Sequence, residues 1–277
     1  MTDLPFPSRT LAPREGAVVA WLEAERRPVV SVQDVAAVFP WPRTAIRDVL
    51  GRLARKGWLR RTSQGRYETI LAETGGFAPP NPWAALSTWG QPYYVGLQSA
   101  AFEHGLTPDR PGAVQVAVPV GAKTPKAWAN VPITPISMRT FSLEGVEDDE
   151  RHGVTVRLAT PERVLVDAGA LPGRVGGPQG LARIASRAAP TADWDRVVKL
   201  AHKRSGGGAA LRRLAAILEL VGTDIPPPLS AAAATDSGTS YLYLGERRLH
   251  GTHGRRLRDW AIVDNVGAEI LREEIER

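Results

Sequence analysis

The chain has 277 residues, 43% of them hydrophobic, which is material for two cores and far from the composition of a disordered segment. It contains no cysteine, which excludes disulfide staples, thiolate nucleophiles and cysteine-ligated zinc. The formal net charge is +6 with a pI near 10.0, and +4 of that excess falls in residues 1–77, so a polyanionic partner is expected for the N-terminal part.

The opening stretch carries Pro5, Pro7 and Pro13 and no apolar run, unlike a secretory leader. No stretch approaches the ~18 consecutive apolar residues of a membrane span. A cytoplasmic protein without a membrane partner is expected. A first helix is predicted over residues 14–26, with Val18, Trp21 and Leu22 as its apolar stripe. Ser31 suits an N-cap and Asp34 the first turn of a second helix striped by Val32, Val35, Ala36 and Phe39. Pro40-Trp41-Pro42 is a rigid turn, with Pro42 placed as the first residue of a third helix running to about Lys56.

In that third helix Ile46, Val49, Leu50 and Leu53 cover an arc of about 100°, a core-facing stripe. Thr44, Arg47, Asp48, Gly51, Arg52 and Arg55 fall on the opposite arc, with Arg43 at its edge. Gly57 is expected to end the helix in the left-handed conformation. Residues 58–62 and 66–70 then read as a hairpin closed by Ser63-Gln64-Gly65. The succession is that of a winged helix-turn-helix. Between residues 43 and 66 there are eight basic side chains and one acid, Asp48, the charge footprint of duplex DNA binding. Arg43, Thr44 and Arg47 are the candidates for base edges. Arg52, Arg55 and Lys56 are the candidates for phosphates, and Arg60, Arg61 and Arg66 for the wing. The same face also suits docking to another protein domain, or plain solvation.

Residues 71–92 mix glycine, proline and turn formers and read as a connector with one helical turn near Trp83–Thr88. Strands are expected at 93–96, 113–119, 131–138 and 154–159, the third at a sheet edge because of Pro135. Residues 144–150 read as an acidic loop. Helices are expected at 97–106, 159–170, about 178–188, 193–204 and 208–221, the last striped by Leu211, Leu214, Ala215 and Leu218. Residues 225–240 read as a loop of low complexity, followed by a strand at 241–245, an Arg-rich turn, a strand at 260–265 and a terminal helix. The expected organisation is a winged helix over 1–78, a linker over 79–92 and a larger mixed α/β domain over 93–277, an α+β fold class overall.

Several motifs in order resemble the AbiEi-type antitoxins of type IV toxin–antitoxin systems. They are GWLRRTSQGRYE, YYVGLQSAAFEHGLT, VTVRLATPERVLVDAGA, the helical tail of GGPQGLARIASRA, DWDRVVKLAHKR and ALRRLAAILELVG, and WAIVDN, together spanning about residues 15–265. The proline-rich 79–92 and the loop 223–240 depart from the pattern. The resemblance implies a repressor that binds inverted repeats in its own promoter through the winged helix. It also implies a second domain that counteracts a nucleotidyltransferase-like toxin. Within the family motif Glu162, Arg163 and Asp167 stand in the E-R-x-L-x-D helix, where a structural role is expected. The basic run Arg196, Lys199, Lys203, Arg204, Arg212 and Arg213 is the candidate face for the toxin, or for phosphates flanking the operator.

Enzymatic signatures are weak. Glu162 and Asp167 lie about 140° apart on a helix and do not share a face. Asp193-Trp194-Asp195 lacks the third carboxylate of a nucleotidyl-transfer site, so Asp193 reads as an N-cap. His250 and His253 lack a third metal ligand. Gly206-Gly207-Gly208 lacks the lysine of a P-loop. No catalytic residue, metal or cofactor is expected. The alternatives are a nuclease- or transferase-like second domain directed to nucleic acid, and a regulator that senses a small ligand.

Overall fold

The computed structural model describes residues 10–70, 79–125, 128, 130–151, 153–235 and 240–276. The expectations for residues 1–9, 71–78 and 236–239 lie outside these. The fold class is mixed α/β of the α+β kind, with twelve α-helices and three sheets among the described residues. The chain divides into two compact units. One comprises residues 1–91 with 123–133 and 149–156; the other comprises 92–122, 134–148 and 157–277.

The first unit begins with α1 (Pro13–Ala24), β1 (Val29–Ser31), α2 (Val32–Val38) and α3 (Arg43–Arg55), followed by the hairpin β2 (Leu59–Ser63) and β3 (Arg66–Thr69). The three strands form an antiparallel sheet in the order β1-β3-β2, with Val30 opposite Tyr67 and Arg60 opposite Glu68. Local chemistry sets each boundary. Ser31 Oγ accepts from the Asp34 amide at 3.2 Å while Asp34 Oδ2 accepts from the Ser31 amide at 2.7 Å, a reciprocal capping box. Pro42 is the N-cap of α3 rather than its first residue, with extended ψ of 142°. Gly57 and Gly65 hold φ of 73° and 70°, conformations that favour glycine at the end of α3 and in the hairpin loop. Val18, Leu22, Val35, Ile46, Leu50 and Leu53 are fully buried in one core, so the predicted stripes of the three helices meet. β1 was not anticipated: three residues carry no periodicity.

Residues 79–91, read from composition as a linker, belong to the first unit. They contain α4 (Pro82–Ser87), capped by Asn81 Oδ1, which accepts from the amides of Trp83 and Ala84. Trp83, Ala84, Ala85 and Leu86 are all buried, and the helix packs on β2.

A five-stranded mixed sheet has the order β6-β5-β4-β8-β7, with β4 (Tyr94–Val95), β5 (Val114–Pro119), β6 (Ile133–Met138), β7 (Val146–Arg151) and β8 (Val154–Ala159); most of it belongs to the second unit, while Ile133 of β6, 149–151 of β7 and 154–156 of β8 are counted in the first. β4 runs antiparallel to β5 and parallel to β8. Pro135 sits on an edge strand, as expected. The acidic segment 144–150 is a correction: most of it forms the other edge, β7. Exposed Glu147 and Asp148 there discourage further strand pairing.

Helices α5 (Leu97–Glu103), α6 (Pro161–Ala170), α7 (Gly177–Ala188), α8 (Trp194–His202), α9 (Gly207–Val221), α10 (Pro227–Thr235) and α12 (Ala268–Glu276) complete the unit. α9 is the hub, packed against α6, α7, α8, α10 and α12. α10 corrects the low-complexity loop: its alanines favour helix, and Leu229 and Ala233 are fully buried. A small sheet of order β10-β11-β9 is formed by β9 (Leu242–Tyr243), β10 (Arg255–Leu257) and β11 (Ile262–Asp264), with α11 (Arg247–His250) between the first two in sequence.

Candidate nucleic-acid interface

The N-terminal half of α3, the N-terminus of α2 and the β2–β3 hairpin enclose an open cleft of about 650 Å³. Four arginines line it, Arg43 and Arg47 from α3 and Arg61 and Arg66 from the hairpin, together with Gln33, Gln64 and Tyr67. Among the described residues no carboxylate lines it. The amphipathic register of α3 explains the placement: with Ile46 and Leu50 buried, Arg47 projects from the opposite arc and Arg43 from its edge at the helix start, and both are exposed. Thr44 is exposed on the same turn. The first turn of α3 holds no acid and its N-cap Pro42 offers no side-chain acceptor, so the positive helix end is left uncompensated.

The nine predicted DNA-binding residues separate into two groups. Arg43, Arg47 and Arg61 line the cleft, although Arg61 Nε also donates to the Ser63 carbonyl at 3.3 Å. Arg66 lines the cleft while its Nη1 donates to the Thr88 carbonyl at 2.9 Å. Arg55 is exposed outside the cleft.

Arg52 and Lys56, by contrast, are turned onto Glu15. Arg52 Nε meets Oε1 at 2.7 Å and Lys56 Nζ meets Oε2 at 2.6 Å. Glu15 is completely buried, so its carboxylate requires partners, and α1 delivers it beneath the C-terminal half of α3. Hydrogen bonds from Lys56 and the Ala12 amide, with Arg52, hold its pKa down at about 2. Arg60 is likewise engaged, with Glu68 at 3.1 Å. Burial nevertheless pushes the Glu68 carboxyl above its usual range. These three cations therefore serve the fold of the unit. Sequence reasoning missed Glu15 because an acid on the edge of an apolar stripe resembles a solvated residue.

The hairpin is braced from behind. Thr88 Oγ1 donates to Thr62 Oγ1 at 2.8 Å, both buried, and the Asn81 amide donates to Glu68 Oε1 at 3.2 Å. Residues 81–88 thus fix the strands that present Arg61 and Arg66.

In the second unit the E-R-x-L-x-D helix centres on a buried network. Asp167, fully buried, accepts from Tyr94 Oη at 2.8 Å, Arg163 Nε at 3.1 Å and Arg204 Nε at 2.7 Å. Arg163 Nη2 also donates to Tyr94 Oη at 2.7 Å. Burial works against the Arg163 charge, but Asp167 and Tyr94 outweigh it and hold the guanidinium pKa above its usual value. Burial, reinforced by Asp167, pushes the Tyr94 phenol well above the usual range. Glu162 stands apart, accepting from the Asp193 amide at 3.4 Å with Arg196 at 3.8 Å. Tyr94 was not anticipated, since a tyrosine in a short apolar strand carries no signal of a buried partner 73 residues away.

The basic run expected as one face does not form one. Arg212 is buried and donates to the carbonyls of Trp260, Ala261 and Ser240. Arg213 donates to the Gly169 carbonyl, and Arg204 belongs to the Asp167 network. Of the six, Arg196, Lys199 and Lys203 on or after α8 reach the surface, and two of these pair with acids, Arg196 with Glu147 and Lys203 with Glu144. Asp193 caps α8, accepting from the Arg196 amide at 3.0 Å. No group of three or more potential metal ligands occurs among the described residues, and no helix among them is long and apolar enough to cross a membrane.

No protein-family model and no curated protein matches the chain. Among solved structures it is similar to the crystal structure of the RV2827C protein from Mycobacterium tuberculosis, with a TM-score of 0.68 and 18% identity over 99% of this chain and 98% of that one. At that identity the likeness shows a shared fold.

Proposed function

We propose that the first unit is a winged helix that binds duplex DNA and that the chain is the DNA-binding antitoxin of a toxin–antitoxin pair. The observation that carries the DNA reading is the acid-free cleft of Arg43, Arg47, Arg61 and Arg66. The order α1-β1-α2-α3-β2-β3 supports it, as does the uncapped start of α3 beside that cleft. In this reading Arg43, Thr44 and Arg47 enter the major groove, and Arg61, Arg66 and Arg55 meet backbone phosphates. Arg52, Lys56 and Arg60 position the reading elements through Glu15 and Glu68.

The antitoxic role rests on the resemblance of the ordered motifs to AbiEi-type antitoxins. The protein would repress its own operon and oppose a nucleotidyltransferase-like toxin through the second unit, with the surface around Arg196, Lys199 and Lys203 as the contact. A DNA titration on the protein's own upstream region tests the first part; lack of binding at about 50 mM salt, where phosphate contacts are strongest, would refute it. Rescue of cells expressing the toxin from an unrelated promoter tests the second.

A further inference from the structure

The second unit carries an open cavity of about 900 Å³ that none of the residues discussed above as DNA or toxin contacts explains, apart from Arg213. Two separated segments line it, residues 172–179 at the start of α7 and residues 241–250 with the edge strand β9 and the helix α11, and Arg213 reaches it from α9. Its size lies within the range of small-ligand sites, ~300–1,000 Å³.

Arg213 is the most informative group. Its Nη1 donates to the Gly169 carbonyl at 2.9 Å, while its Nε is buried with no hydrogen-bond partner among the described residues. Among the described residues no carboxylate pairs with it. Burial, aided by the neighbouring charge of Arg212, pulls its pKa below the usual guanidinium value. With one donor held by Gly169 and Nε closed off from solvent, the guanidinium brings to the cavity wall a positive charge that an anion would offset.

The opposite lip supplies further donors. Gly176, with φ of 87°, is the N-cap of α7, which has no side-chain cap and no acid in its first turn; Pro178 has no N–H, and the other leading amides lack a side-chain acceptor. Arg247 and His250 add basic groups against a single lining acid, Glu246. The remaining wall is aromatic and apolar. Tyr241 is 37% exposed and Leu249 77%. Tyr243 carries the Arg247 guanidinium 5.5 Å from its ring centroid. Exposed tyrosine beside guanidinium offers flat π surfaces for a flat ring.

We propose that this cavity binds a mononucleotide, its phosphate taken by Arg213 and the start of α7 and its base laid against Tyr241 and Tyr243. A phosphate alone would leave the aromatic wall unused, and a base alone would leave the Arg213 charge without an anion. The site lies wholly within the second unit, so it stands or falls separately from DNA binding by the first.

The test is calorimetric titration of the full chain with AMP, GMP, CMP and UMP, with adenosine and inorganic phosphate as the part-ligands. At least one mononucleotide should bind saturably, with Kd of ~10–1,000 μM and at least about tenfold tighter than phosphate or adenosine. Arg213→Lys should weaken it about tenfold or more. Gln179→Glu should weaken it similarly without lowering the melting temperature, because a carboxylate favours a helix start yet repels phosphate. Tyr243→Leu should weaken the nucleotide and leave inorganic phosphate unchanged. No saturable binding of any of the four at about 5 mM would overturn the proposal. Binding that Gln179→Glu and Tyr243→Leu both leave unaltered would overturn it equally.

Discussion

Replacing Asp167 by asparagine should destabilise the second unit more than any substitution on its surface. Two carboxylate oxygens there receive three donors, from Tyr94, Arg163 and Arg204, and the side chains of both arginines are less than a tenth exposed. Asparagine keeps the volume but offers one neutral oxygen and an NH2 group facing guanidinium donors. Removing one partner of a buried ion pair costs about 3–5 kcal/mol, because the other charge stays buried without compensation. For a unit of this size each kcal/mol lowers the melting temperature by roughly 2–4 °C, so a drop of about 6–20 °C is expected. Tyr94→Phe removes one hydroxyl from the same network, keeps the ring and leaves the charges paired. Its cost should be smaller, about 1–3 kcal/mol. Urea titrations followed by circular dichroism, with thermal melts, measure both. A loss below ~1 kcal/mol for Asp167→Asn, or a larger loss for Tyr94→Phe, would refute the assignment of Asp167 as the charge that organises this core.

Acid should weaken the first unit through Glu15. Its carboxyl has a pKa of about 2 in the fold against 4.5 ordinarily, so the stabilisation is complete above pH ~4.5 and is lost as pH falls towards 2. Glu15→Gln should remove that part of the acid dependence and cost about 1–2 kcal/mol at neutral pH, the partly exposed Arg52 and Lys56 being screened by solvent. An unchanged slope of stability between pH 5 and pH 2 would contradict this. Lys56→Met should lower stability while changing DNA affinity less than Arg47→Ala, the reverse of what a phosphate-contacting lysine would show; chemical denaturation and anisotropy titrations separate the two effects. Gly96→Ala should cost about 1–3 kcal/mol, since the added Cβ would lie 2.9 Å from the Tyr94 ring; a thermal melt like the parent's would show that the ring can yield.

The elements with strong local signals were legible in the sequence. α3 and its buried stripe, Ser31 as the N-cap of α2, the Gly57 stop and the hairpin at Gly65 all follow from residues close in sequence. Thr160 as N-cap of α6 was legible for the same reason, and its hydroxyl accepts from the Arg163 amide at 3.4 Å. What was not legible depends on partners remote in sequence. Composition marked 79–92 as a linker, yet Trp83 and Leu86 bury themselves on a sheet they do not adjoin in the chain. The charged run of β7 looked like a loop because an edge strand shows few buried side chains. The alanines of α10 read as low complexity although each is a strong helix former.

The candidate site was legible in charge and face but not in its division of labour. Helical periodicity put Arg47, Arg52 and Arg55 on one side, with Arg43 at its edge. It could not show that Glu15, 37 residues away from Arg52, would claim two of the nearby cations. The run from Arg196 to Arg213 failed as a face for the same reason. Arg204, Arg212 and Arg213 find acceptors supplied by other helices and loops, and a linear pattern records only the donors.

The central claim is that the arginine cleft of the first unit binds duplex DNA, and its most direct test is a fluorescence anisotropy titration of the full chain against its own upstream region at several salt concentrations. Affinity should fall with salt along a line of slope about −3 to −5, as expected for four or five neutralised phosphates. The Arg43→Ala/Arg47→Ala variant should lose at least about 2 kcal/mol for the upstream duplex while keeping the parent's melting temperature. Binding that this variant retains in full, or that shows no dependence on salt, would contradict the account.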